Sequence, residues 1–99
     1  MEKDFLYVEL FEIYKNLLTE RQKEMFSSIY LYDLSLSEVA EPENMSRQSV
    51  YDAVKKVKAK LLEYENSLGL RKKFTEINAE VNKTNDKQLI EKIREIIVK

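Results

Sequence analysis

The chain has 99 residues, a net charge of −1, one glycine, one proline and neither cysteine nor histidine. That excludes disulfides, thiolate or imidazole metal sites, thiol nucleophiles and a glycine-rich phosphate loop, and it removes the commonest general base. So few turn-forming residues also argue against a sheet, so the fold is expected to be all-α.

No apolar run approaches the ~20 residues of a membrane span. The charged start (Glu2, Lys3, Asp4) does not read as a secretion signal, and the expected location is the cytoplasm. Carboxylates are plentiful, but no pair has a spacing that demands catalysis. The expectation is a protein that is not an enzyme, with no cofactor and no metal. Charge is unevenly spread. Residues 1–45 carry 4 Lys/Arg against 10 Asp/Glu, residues 46–73 carry 8 against 3, and residues 74–99 carry 5 against 5. A basic middle on an acidic body could turn one face to a phosphate backbone. Solvated surface is the plain alternative.

In chain order, residues 4–18 predict a largely buried helix. Leu6, Leu10, Ile13 and Leu17 form one row at helical spacing, and Tyr7, Phe11, Tyr14 and Leu18 form the next. Thr19 with Gln22 makes a capping box for a second helix over about 20–31, burying Met25, Phe26, Ile29 and Tyr30. Asp33 marks a break. Ser35 with Glu38 caps a short third helix whose Leu36, Val39 and Ala40 face inward and whose length Pro42 limits. Asn44 suits a left-handed turn position, Met45 plugs the turn, and Ser46 caps a long fourth helix.

On that helix Val50, Val54, Val57, Leu61, Tyr64 and Leu68 make a heptad-like seam. Gly69 suits a left-handed cap. A fifth helix over about 70–82 should turn Leu70, Phe74, Ile77 and Val81 inward. Asn85 with Gln88 should cap a sixth that buries Leu89, Ile90, Ile93, Ile96 and Ile97. No linker marks a second domain. The expected organisation is one all-helical domain over 1–99, with a two-helix unit at 35–61 and C-terminal helices at 70–99.

Residues 35–61 read as a helix-turn-helix. Steeply crossing helices need a small residue at the contact, which Ala40 supplies, and Val50 returns an apolar side chain ten residues later. Arg47, Gln48, Ser49, Tyr51 and Asp52 then occupy the first turns of the second helix, where Arg suits guanine and Gln suits adenine. Lys55, Lys56 and Lys58 follow and suit phosphates, as does Lys60. Asp52 opposes phosphate unless it accepts from a cytosine amino group or pairs with Lys55 or Lys56. An ordinary polar first turn is the plain alternative for this stretch.

The segments LLTERQ (17–22), IYLYDLSLSEVAE (29–41), SRQSVYDAVKK (46–56) and LLEYENSLGL (61–70) resemble the YlxM family of small bacterial proteins. That family is in turn similar to sigma factor region 4, which reads a promoter element. The resemblance implies a sigma region 4-like helix-turn-helix bundle with additional C-terminal helices. It also implies DNA as a partner and a regulatory role in the signal recognition particle pathway. The alternative it implies is a protein or RNA partner of that particle without sequence-specific DNA binding. The family usually has an apolar residue in the turn near position 43, where this chain has Pro42-Glu43. Glu43 must therefore point outward and Pro42 must shorten the first helix of the unit, which alters the turn that aims the second. The seam on the fourth helix and the Ile-rich sixth together suggest an apolar patch for a second copy, and the expectation is a homodimer.

Overall fold

A computed structural model describes residues 5–98. The elements are α1 (Phe5–Tyr14), a 3-10 turn (Lys15–Leu17), α2 (Glu20–Tyr30), α3 (Leu36–Ala40), α4 (Arg47–Leu68), α5 (Leu70–Val81) and α6 (Lys87–Val98). The described residues contain no strand. Residue 4, the expected start of the first apolar stretch, lies outside them. Backbone contacts gather into two compact units, residues 1–68 and 69–99.

In the first unit, α4 is the element against which α1, α2 and α3 all pack. Its seam lies under them: Val50, Val57 and Leu61 are almost wholly buried, and Val54 nearly so. The seam closes there. Tyr64 is half-buried and Leu68 is exposed, so its last turns are not core. Of the two rows expected in the first segment the second is the one that is buried, through Phe11 and Tyr14 on α1 and Leu18 just past the 3-10 turn. Of the first row only Leu10 is buried, and Leu17 is exposed. Phe26 stacks between Phe11 and Tyr30, with ring centres 4.6 and 4.5 Å away. Tyr14 is buried with its hydroxyl donating to Glu65 at 2.7 Å, which ties α1 to the far part of α4.

Local chemistry sets the element boundaries. Both expected capping boxes form. The Gln22 amide donates to Thr19 Oγ1 and the Thr19 amide to Gln22 Oε1; Glu38 and Ser35 repeat the exchange. Asp33 has a left-handed φ of 57°, which ends the α2 segment.

In the second unit, Gly69 takes a left-handed φ of 62° ahead of α5. The α5–α6 hairpin departs from expectation. Val81 is its only buried residue among those described, and Ile77, Leu89 and Ile96 are exposed. Two helices alone cannot enclose two apolar stripes, and that is why Leu70, Phe74, Ile90, Ile93 and Ile97 reach only partial burial. The cap of α6 is Asp86 rather than Asn85, since the Leu89 amide donates to Asp86 Oδ1 at 3.1 Å.

Candidate nucleic-acid interface

The turn between α3 and α4 sets where the second helix points. The Met45 amide reaches back to the Ala40 carbonyl at 2.9 Å and the Asn44 amide to the Glu41 carbonyl at 3.2 Å. Asn44 sits between with a φ of 53°. That is a Schellman-type closure, and an asparagine at its left-handed position costs less than a branched residue would. Pro42 falls inside the turn, where neither of these bonds needs its missing amide hydrogen. Glu43 points outward, as its charge requires, and meets Arg21 Nη1 of α2 at 3.3 Å. Arg21 Nη2 also lies 3.3 Å from the Met45 sulfur. Sequence reasoning missed Arg21. The signal available was the outward Glu43, which fits a cation from another element.

Ser46 Oγ accepts the Ser49 amide at 3.0 Å and starts α4 as expected. Val39, Ala40, Val50 and Val54 form the local core of the unit, and Met45 is half-buried. With that face fixed inward, Arg47, Gln48, Ser49, Tyr51, Asp52, Lys55, Lys56 and Lys60 are all exposed. The helix therefore exposes polar side chains along its first turns and lysines beyond them.

Four of the expected residues are engaged within the helix or its surroundings. The Ser49 hydroxyl accepts from Ser46 Oγ at 2.8 Å, so it serves the cap. Gln48 Nε2 donates to Asp52 Oδ1 at 3.0 Å, so the partner Asp52 finds is Gln48 and not Lys55 or Lys56. Lys58 is half-buried, with its ammonium 4.6 Å from the centre of the Tyr7 ring and 5.8 Å from that of Tyr30. Partial burial lowers its affinity for the proton. The hydrogen bond to Tyr30 and the fields of Tyr30, Tyr7 and Tyr51 outweigh that, and its pKa lies above the ordinary lysine value. It is a cation at neutral pH.

Helix geometry explains the difference among the lysines. At 3.6 residues per turn, Lys58 falls about 40° around α4 from Val54, at the edge of the buried stripe, whereas Lys56 falls about 160° away. Tyr51 stands near the same edge. It lines two surface hollows, one with Leu36, Ser46, Arg47 and Gln48, the other with Ile29, Tyr30, Leu36, Val54, Lys55 and Lys58. No group of three or more metal-ligating side chains occurs among the described residues, and none of their helices is long and apolar enough to cross a membrane.

Comparison with known proteins agrees with this architecture. The family model described as UPF0122, "Putative helix-turn-helix protein, YlxM / p13 like", matches residues 1–99. The chain belongs to this family. A UPF0122 protein of Caldanaerobacter subterraneus subsp. tengcongensis is 44% identical over 87% of this chain and 74% of its own length. One from Bacillus thuringiensis is 47% identical over 91% and 80%. A probable UPF0122 protein of Mycoplasma mycoides is 40% identical over 98% and 90%. A helix-turn-helix is thus what the family's own description names.

Proposed function

We propose that this chain is a DNA-binding regulatory protein whose α4 enters the major groove. The observation that carries this reading is the two-sided character of α4. Val50, Val54, Val57 and Leu61 fix one side in the core, while Lys55 and Lys56 stand exposed away from it, Tyr51 is exposed at its edge and Arg47 is exposed at the helix start, before the seam begins. A helix held in this way presents its first turns to base edges and its lysines to the backbone. Arg47 is the strongest base reader of the set, because a guanidinium grips guanine with two bonds. Lys55 and Lys56 are the phosphate contacts. Gln48 and Asp52 act as a bonded pair, and Lys58 serves the fold. The test is selection of bound fragments from a sheared genome at modest salt. A recurring sequence that Arg47→Ala loses supports the reading, and retention of no sequence over background overturns it.

A second reading has its own observation. The Gln48–Asp52 bond and the use of Ser49 in the cap leave few side chains free to read bases. A basic face with little base discrimination suits structured RNA, which is recognised mainly by shape. In this reading the chain is a protein or RNA partner of the signal recognition particle, acting in that pathway. Binding to purified particle RNA or protein, with no sequence preference on DNA, is the result that favours it.

A further inference from the structure

We propose that the α5–α6 hairpin is a pairing element that packs, two-fold related and antiparallel, against the same hairpin of a second copy of this chain. The inference does not rest on the nucleic-acid reading.

The apolar side of α6 has two rows with different fates. Ile90, Ile93 and Ile97 are half-buried, whereas Leu89 and Ile96, seven residues apart on the adjacent row, are exposed, Ile96 by 70%. A hairpin with its own α5 uses only the first row, so the second is surplus to it. Seven residues is the repeat at which helices share a seam. In an antiparallel pair, Leu89 of each copy would meet Ile96 of the other.

The charge pattern of α5 points to the same occupant. Its first turn holds Arg71, Lys72 and Lys73, and its later turns hold Glu76 and Glu80. That order opposes the helix macrodipole, which favours acidic residues first and basic residues last. An antiparallel copy of α5 reverses the disadvantage, because each basic beginning then lies beside an acidic end. The apolar stripe allows that pairing. Leu70, Phe74, Ile77 and Val81 are spaced four, three and four apart, the same in both directions. In the register that sets Phe74 against Ile77 of the other copy, Lys73 and Glu80 flank the seam on one side and meet across it, twice per dimer. Within one copy they stand about 10 Å apart along the helix, too far to touch. Glu80 meanwhile holds only an exposed local pair with Lys83 at 3.0 Å. Each 12-residue helix is about 18 Å long, so the shared face is small and a micromolar dimer is expected.

The test uses the full chain in sedimentation equilibrium, with circular dichroism to establish that each variant keeps its helices. The wild-type chain should pass from monomer to dimer across the micromolar range. Ile96→Glu should abolish dimer there, and because Ile96 is exposed the monomer should stay folded. Lys73→Glu and Glu80→Lys should each weaken association about tenfold by setting like charges together. An equimolar mixture of those two variants should restore it, because each copy then supplies the charge the other needs. A wild-type chain that stays monomeric to about 500 μM, as when its own first unit covers the hairpin, overturns the proposal. So do a dimer indifferent to Ile96→Glu and a mixture that fails to regain affinity.

Discussion

The ammonium of Lys58 lies 4.6 Å from the centre of the Tyr7 ring, joining α4 to α1 across 51 residues of sequence. A lysine so placed contributes through cation–π attraction and through the packing of its methylene stem. Its neighbour Lys55 is exposed and has no such ring contact. The two should separate cleanly in mutation. Lys58→Ala should lower stability by about 1 kcal/mol and leave the salt dependence of nucleic-acid binding unchanged. Lys55→Ala should leave the melting temperature nearly alone and reduce the slope of log affinity against log salt by about 0.9. Thermal melts and titrations at several salt concentrations test both, and equal slope changes for the two variants would place Lys58 among the phosphate contacts.

Ser46 joins the turn to α4. Its Oγ accepts the Ser49 amide at 3.0 Å and donates to the Ser49 hydroxyl at 2.8 Å. Ser46→Ala should cost about 1 kcal/mol, and Ser46→Asp should retain most of the stability because a carboxylate also caps. In a domain of this size 1 kcal/mol corresponds to a melting shift of about 4–8 °C. Calorimetry of the two variants measures it. An alanine variant that melts with the wild type would mean that the start of α4 is fixed by packing alone.

The Arg21–Glu43 pair is exposed on both sides, by 61% and 49%. Exposed pairs contribute little, so Glu43→Ala should change stability by less than about 1 kcal/mol. Asn44→Val should be worse, because a branched side chain in the left-handed region is strained, at a cost of roughly 1–2 kcal/mol. Chemical denaturation of the two variants ranks them. The reverse order would make the ion pair, and not the backbone closure, the element that holds the turn.

Much of this molecule could be read from its sequence because its determinants are local. The boxes at Thr19 and Ser35, the left-handed Asn44 and the Ser46 cap each depend on residues within four positions, where helix chemistry leaves few alternatives. The buried seam from Val50 to Leu61 followed from periodicity alone. Periodicity also misled. It marks an apolar face without saying what covers it, and so Ile77, Leu89 and Ile96 read as core when they are exposed. Pairings between distant segments were invisible. Nothing near Lys58 announces Tyr7, and the outward Glu43 asks for a cation without naming Arg21. At the candidate interface seven of the eight expected residues are exposed, yet the sequence did not distinguish Lys56, far from the buried stripe, from Lys58 at its edge.

Asp52 is the one carboxylate on the exposed early turns of α4, and its Oδ1 accepts from Gln48 Nε2 at 3.0 Å. A negative charge at this position repels a phosphate backbone, and the bond also occupies a side chain that could read adenine. Asp52→Ala removes both effects. On DNA, the variant should bind all sequences more tightly and should tolerate adenine substitutions in the target differently from the wild type. If Asp52 instead accepts a cytosine amino group, the same change loses about 1–3 kcal/mol of discrimination at one base pair and gains nothing elsewhere. Competition titrations against a panel of single-base target variants distinguish the two roles. An affinity and base preference both unchanged by Asp52→Ala would remove the first turns of α4 from the contact surface altogether.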